Sequence, residues 1–216
     1  MYNLSCNNLS KDFNKTTILS NVSISVSKGE CLGILGDNGS GKSTLMSIFA
    51  GVLAPTSGQI LLNDSLEFDR KKIAYVPQEP ALFENLSVLD NYKIWLSAYN
   101  ISDLNIPEFL YTDPKKKVSK LSGGQKKKIS IAIALLNNPD FIIMDEAFAS
   151  LDAKTVDLLT NYLKNNKNLG VLYSSHNILE IANICDRCIV LKNGQVHYEH
   201  TSKINLDNVQ SLYEKF

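Results

Sequence analysis

One short stretch constrains the fold of this chain more than any other feature. It reads Gly36-Asp37-Asn38-Gly39-Ser40-Gly41-Lys42-Ser43-Thr44 and follows the apolar run 31–35. Gly36 and Gly41 fit the spacing GxxxxGK[ST], and we expect both to adopt a positive φ, so that successive N–H groups surround phosphate oxygens. A helix predicted over 45–53 would direct its positive dipole end at the same anion. The sequence therefore predicts a strand, a phosphate-binding loop and a helix in that order.

Two side chains of this loop carry the predicted chemistry. We expect Lys42 to neutralise the β- and γ-phosphates of a nucleotide, and the Ser43 hydroxyl to hold Mg²⁺. The alternative is a glycine-rich turn without a ligand. Phosphate binding is favoured, because the strand, the loop and the helix occur in the order that the motif requires.

Length and charge limit the classes of protein that this sequence can represent. The 216 residues suit one domain, or one domain with a small inserted subdomain. Lys and Arg number 22, as do Asp and Glu, so the zero net charge indicates no polyanionic partner and no direct binding of nucleic acid. No apolar run approaches the roughly 18 residues of a membrane helix, and the N-terminus lacks a secretory pattern. We therefore expect a soluble, cytoplasmic chain.

Short apolar runs alternate with helical patterns, which indicates an α/β fold around a mostly parallel sheet. The first quarter has more strand than helix and suggests an N-terminal antiparallel β subdomain. We predict a single domain over 1–216, with a small helical subdomain inserted at about residues 85–137. The strands are predicted within 22–26, 31–35, 60–62, 73–76, 141–144, 171–173 and 188–191, and the helices over 45–53, 123–137, 153–166 and 177–184.

A second motif places two carboxylates at the end of an apolar strand, where Asp145 and Glu146 follow Phe141-Ile142-Ile143-Met144. The C-terminal ends of parallel strands converge on the ligand crevice, so Asp145 can reach Mg²⁺ while Glu146 faces a water molecule. Nucleotide hydrolysis needs that water to be oriented and its proton accepted, which a carboxylate can do. The alternative is a strand that ends in acidic residues by chance, and the phosphate loop argues against it.

A third motif, Leu121-Ser122-Gly123-Gly124-Gln125, predicts a second anion site at the start of a helix. Its free amides, its hydroxyl and the helix dipole suit a phosphate group. Alone, the Ser-Gly-Gly sequence would indicate only a capping turn. Together with the first two motifs it resembles the LSGGQ signature of the ATP-binding cassette (ABC) ATPase family, and this resemblance implies a sheet of the P-loop NTPase type.

Further residues fit the motifs of that family. The resemblance implies that Phe13 stacks on adenine, that Gln78 faces Mg²⁺ and the attacking water, and that His176 contacts the γ-phosphate. The segment 150–152 is similar to the family's D-loop. Two departures are visible: Ala147 stands where proline is usual, and the residues after the signature, 126–128, are all lysine. Neither removes the carboxylate of Glu146, so hydrolysis is still expected.

The resemblance also implies partners and ligands. ATP and Mg²⁺ would bind, and two subunits, identical or different, would dimerise head to tail around two ATP molecules. Ser122, Gly123, Gly124 and Gln125 would complete the partner's site.

Two functions remain open at this point. The first is the motor of a transporter, held at the cytoplasmic face of the membrane by transmembrane permease subunits on other chains. The alternative is a soluble ABC ATPase that acts as an assembly or regulatory factor. The sequence shows no second cassette, coiled-coil insert or zinc module, which favours the transporter.

Overall fold

The protein, described here from a computed structural model, contains two sheets and five helices within residues 2–67 and 69–200, the part of the chain that the structure describes. The strands are β1 (Asn3–Phe13), β2 (Thr16–Ser27), β3 (Cys31–Leu35), β4 (Ser57–Leu62), β5 (Ile73–Val76), β6 (Phe141–Asp145), β7 (Gly170–Ser175), β8 (Arg187–Lys192) and β9 (Gln195–His200). The helices are α1 (Lys42–Phe49), α2 (Val88–Tyr99), α3 (Gly123–Leu135), α4 (Ala153–Asn165) and α5 (Ile178–Ile184).

The larger sheet has the strand order β5-β6-β7-β3-β8-β9. Its first five strands are parallel, and β9 pairs antiparallel with β8. Every residue of β3, β6 and β7 is buried, because other layers cover both faces of the sheet. Along β6, Ile142 and Met144 join a core cluster with residues of α3, α4 and α5, whereas Phe141 and Ile143 join the cluster on the opposite face.

The smaller sheet has the order β2-β1-β4 and is antiparallel. Its apolar side chains, among them Leu4 and Val26, pack in one cluster with Leu45 and Phe49 of α1. The antiparallel sheet therefore covers the face of the larger sheet that carries α1. This arrangement confirms the predicted α/β class with its N-terminal antiparallel layer.

Helix α1 begins and ends earlier than the predicted range of 45–53. Gly41 is the N-cap with a φ of 105°, so the helix starts at Lys42. At the other end, the N–H of Gly51 bonds to the carbonyl of Ile48, and Gly51 has a φ of 71°, which turns the chain away from the helix axis. The early start places Lys42 and Ser43 on the first turn, directly beside the loop.

The chain between β5 and β6 contains α2, α3 and two single turns of 3₁₀ helix, Glu108–Leu110 and Val118–Lys120. This is where a helical subdomain was predicted over about residues 85–137. Its buried residues, such as Tyr92, belong to the cluster that also contains residues of α4 and α5. Residues 201–216 of the predicted single domain lie outside the described residues.

Across 2–67 and 69–200, no helix has both the length and the apolar character needed to span a lipid bilayer.

Candidate active site

The loop between β3 and α1 is held in one conformation by close contacts. Gly41 has the expected positive φ, and a side chain there would meet Leu19. The expectation of a positive φ is wrong for Gly36. Glycine is needed there for a different reason: a Cβ atom would lie 2.5 Å from both the Ser40 Oγ and the Leu191 carbonyl oxygen.

Lys42 lies buried inside this loop. Its Nζ donates hydrogen bonds to the carbonyl oxygens of Gly36 (2.7 Å) and Asp37 (3.0 Å) and lies 3.8 Å from Oε1 of Glu146. Burial lowers the pKa of Lys42, while the nearby carboxylates of Glu146 and Asp145 act in the opposite direction. A bound polyphosphate would supply further negative charge and stabilise the ammonium form.

Ser40 is a buried polar residue of the same loop. It is 7% exposed, and its Oγ has no hydrogen-bond partner among the described residues. Buried hydroxyl groups are normally paired, so this one is an exception.

A cavity of about 500 Å³ opens above the loop. Such a volume is in the range of small-molecule sites. The cavity is lined by Phe13, Ile18, Asn38, Gly39, Gly41, Lys42, Ser43, Thr44, Gln78 and Glu146.

Glu146 is the centre of a small polar network at this cavity. Its Oε2 accepts a hydrogen bond from Nε2 of Gln78 (3.3 Å), and its Oε1 lies 3.2 Å from Nδ1 of His176. Together with Lys42 at the start of α1, side chains from three separate parts of the chain therefore converge on one carboxylate. The sequence predicted these residues as separate motifs, and the structure brings them together.

The backbone of Glu146 is strained. Its φ is 44°, in the left-handed region, which costs roughly 1–3 kcal/mol for a residue with a side chain. The N–H of Glu146 bonds to both the carbonyl oxygen and the Oγ of Ser174, each at 3.2 Å. This pairing with the end of β7 holds the carboxylate at the cavity.

Asp145 lies one residue earlier and is only 1% exposed. Its Oδ1 accepts a hydrogen bond of 2.5 Å from the Ser174 Oγ. Asp145 is therefore buried and does not line the cavity, whereas Ser43 does. The sequence placed Ser174 only in the stretch that precedes His176 and predicted no role for its hydroxyl, because a serine within a buried strand gives no signal of its own.

Phe13 ends β1 at the rim of the cavity. The residue is 44% exposed, and the Lys11 ammonium lies 4.8 Å from the centre of its ring. An exposed aromatic ring beside a cavity offers a face on which a planar base can stack. Ile18 lines the cavity as well, and no sequence motif predicted this.

The Ser-Gly-Gly-Gln motif lies elsewhere on the molecule and does not line this cavity. Ser122 caps α3: its Oγ accepts a bond from the Gln125 N–H (3.2 Å), while Gln125 Oε1 accepts one from the Ser122 N–H (3.1 Å). This reciprocal capping box fixes the start of the helix. A Cβ atom on Gly124 would collide with the carbonyl oxygen of Ser150, so the motif packs directly on the segment 150–152.

Comparison with known proteins gives consistent results. Residues 19–149 match the family model described as ABC transporter. SrtF, a lantibiotic transport ATP-binding protein of Streptococcus pyogenes, is 33% identical, and the alignment covers 98% of this chain and 99% of that protein. LptB, the lipopolysaccharide export system ATP-binding protein of Escherichia coli (strain K12), is 31% identical, with 99% and 97% covered.

Solved structures resemble this fold closely. The ATP-binding subunit of an ABC transporter matches with a TM-score of 0.84 and 27% identity, over 98% of this chain and 93% of that one. The dimeric, post-hydrolysis state of the ATP-binding cassette MJ0796, bound to ADP and Pi, matches with a TM-score of 0.77 and 26% identity, over 91% and 97%.

Proposed function

Because this chain belongs to the ABC transporter family, we propose that it is the motor of a membrane transporter whose membrane-spanning subunits are separate chains. The chain itself is an ATP-binding cassette ATPase.

The observation that carries the proposal is the convergence of Lys42, Gln78 and His176 on the Glu146 carboxylate. In hydrolysis, Glu146 accepts a hydrogen bond from the attacking water and takes its proton. Gln78 and His176 orient that water and the γ-phosphate. Lys42, already buried in the loop, stabilises the negative charge that develops on the phosphoryl oxygens.

Three residues have the oxygen donors that Mg²⁺ prefers: the Ser43 hydroxyl, the Gln78 side-chain amide and the Asp145 carboxylate. The ion, when bound, neutralises charge on the β- and γ-phosphate oxygens. Ser174 engages Oδ1 of Asp145. It thereby fixes the orientation of this carboxylate.

Dimerisation would explain why the capping-box motif lies away from the cavity. Ser122, Gly123, Gly124 and Gln125 do not line the cavity of their own chain. They offer a hydroxyl and helix N-terminal amides, which suit the phosphates of a nucleotide bound to a second cassette. Two head-to-tail copies would then enclose two ATP molecules, and hydrolysis at Glu146 would release them. The partner cassette can be identical or different.

The membrane partner is proposed from the relatives. SrtF is named for lantibiotic transport and LptB for lipopolysaccharide export, and both align over nearly their whole length. We place the chain at the cytoplasmic face of the membrane, bound through that partner.

Affinity purification tests the partner directly. The tagged protein is expressed in its native cells, extracted in mild detergent and purified, and its partners are identified by mass spectrometry. A stoichiometric polytopic membrane protein, absent when an unrelated tagged cytosolic protein is purified in parallel, is expected. Recovery of soluble partners only, with the ATPase in the cytosolic fraction, would contradict the transporter function and favour a soluble assembly or regulatory factor.

A further inference from the structure

Lys127 is a buried cation that the chemistry described above does not use. The residue lies on α3 and is 3% exposed. Its Nζ donates hydrogen bonds to the carbonyl oxygens of Pro77 (3.0 Å) and Gln78 (2.5 Å). Taking an ammonium group out of water is costly unless it is paired, so these bonds to the backbone are what make its burial possible.

The neighbouring lysines make different contacts. Lys126 pairs with Glu84 at 2.5 Å and Lys128 with Asp152 at 3.2 Å, and both carboxylates are mostly exposed. Exposed ion pairs of this kind contribute little to stability. Among these three consecutive lysines, Lys127 alone is buried.

Hydrogen bonds connect Lys127 to the candidate active site through Gln78. Its two bonds engage adjacent carbonyl groups, so the peptide unit between Pro77 and Gln78 cannot rotate without breaking one of them. The Gln78 side chain in turn donates to Glu146. Burial lowers the pKa of Lys127, and the carboxylates of Glu79, Asp145 and Glu146 oppose this shift.

We propose that Lys127 is a positioning residue for hydrolysis. It fixes the position of Gln78, and through Gln78 that of the Glu146 carboxylate, relative to helix α3, which begins beside Ser122. The inference rests on the proposed function, since it assigns a regulation of the same site. Lys127 lies five positions after Ser122, about 7.5 Å along the helix axis. A displacement of α3, when its N-terminus meets the partner's nucleotide, is transmitted to Gln78.

Three variants test this role. Lys127→Met keeps the length of the side chain but removes the charge and the donor, whereas Lys127→Gln keeps a neutral N–H donor on a shorter chain. Lys126→Gln is the matched control, since its exposed ion pair lies outside the site. Steady-state hydrolysis of ATP gives kcat and KM for each, and titration with a fluorescent ATP analogue gives the nucleotide affinity.

A positioning role lowers kcat and leaves binding intact. Because small misplacements of catalytic groups are costly, we expect Lys127→Met to lose about 10- to 100-fold in kcat. Its KM and its affinity for the ATP analogue should stay within about 3-fold of the wild type, because the hydrogen bonds of the Lys127 Nζ go to the backbone of Pro77 and Gln78. Lys127→Gln should lose less, and Lys126→Gln should match the wild type.

A spectroscopic measurement separates this inference from the proposed function. In ¹⁵N-labelled protein, the side-chain amide of Gln78 is identified by its loss in Gln78→Ala. Lys127→Met should shift this resonance, and Lys126→Gln should not. If the wild type hydrolyses no ATP, the proposed function fails, while this resonance still decides whether Lys127 positions Gln78.

Two results would overturn the inference. One is an unshifted Gln78 resonance in the Lys127 variants. The other is a kcat that stays at the wild-type value, or that falls in parallel with nucleotide affinity and melting temperature, as a general packing defect would produce. Should Lys127→Met fail to fold, Lys127→Gln is judged by the same two criteria.

Discussion

At the scale of single residues, the site depends on charges held where water has limited access. Lys42 is buried between two loop carbonyl groups and the Glu146 carboxylate. In such surroundings a charge-assisted hydrogen bond to a ligand is stronger than the same bond at an exposed surface. In the proposed function, Lys42 would therefore contribute much of the affinity of the loop for phosphate.

Lys42→Ala should weaken ATP binding by about 10- to 150-fold, since a hydrogen bond to a charged group contributes about 1.5–3 kcal/mol. Isothermal titration calorimetry with MgATP measures the change. Lys164→Ala, which removes an exposed lysine on α4, is the control and should bind as the wild type does. Equal affinity in Lys42→Ala would refute the assignment of the phosphate loop.

Phe13→Ala should also weaken nucleotide binding, because a stacked base contributes about 1–3 kcal/mol, equivalent to about 5- to 150-fold in affinity. Stacking depends on a planar surface and not on base identity, so affinities for ATP and GTP should fall together. Phe13→Tyr retains the ring and should retain the affinity. A wild-type Kd in Phe13→Ala, measured by the same calorimetry, would remove Phe13 from the site.

At the scale of secondary-structure elements, the start of α3 is fixed by its capping box and by its packing on the segment 150–152. A Cβ atom at Gly124 would collide with the Ser150 carbonyl oxygen, whereas one at Gly123 would lie 3.8 Å from the Ser150 Cβ, which is ordinary contact. The two adjacent glycines thus have different reasons to be present. Only Gly124 is required by close packing.

This difference predicts opposite effects of two alanine substitutions on the free energy of unfolding. Gly124→Ala should lower it by about 1–3 kcal/mol, because the helix start must move away from Ser150. Gly123→Ala should leave it unchanged or raise it by up to about 1 kcal/mol, because alanine is the better helix former. Urea denaturation measures the free energy of unfolding of both variants. An equal decrease in the two would show that close packing against Ser150 does not determine the need for glycine at position 124.

Some of the strands could be predicted from the sequence and others could not. Apolar runs predicted β3 and β6 correctly, because both strands are buried on both faces. Strand β1 was not among the predicted strands: its middle is polar, with Asn7 and Asn8, and its strand conformation comes from pairing with β2 on one side and β4 on the other. Pairing of this kind overrides local preference.

The residues of the candidate site could be predicted from the sequence, but their contacts with one another could not. Local motifs identified Lys42 and Glu146 as candidates, and the resemblance to the ABC ATPase family identified Gln78 and His176. Their mutual hydrogen bonds depend on three-dimensional packing, as does the left-handed backbone of Glu146. Burial of Lys127 was also beyond local patterns, since a run of three lysines ordinarily indicates a solvated face.

At the scale of the whole molecule, the cavity and the capping-box motif lie apart on one chain. The cavity holds the residues proposed to bind phosphate and activate water, and the N-terminus of α3 holds the glycines and the serine proposed to contact the partner's nucleotide. In the proposed head-to-tail dimer, the two would come together and ATP would be part of the interface. Each hydrolysis event would then remove the contacts that hold the two copies together.

The measurement that tests this account most directly is the mass of Glu146→Gln in solution, determined by size-exclusion chromatography with light scattering. Glutamine keeps the shape of the side chain but cannot accept the proton from water, so bound ATP should persist. With saturating MgATP we expect twice the mass of the chain, and without nucleotide the mass of one chain. The double variant Glu146→Gln, Ser122→Arg should stay monomeric, because arginine obstructs the N-terminus of α3. A monomer of Glu146→Gln in saturating MgATP would contradict the account.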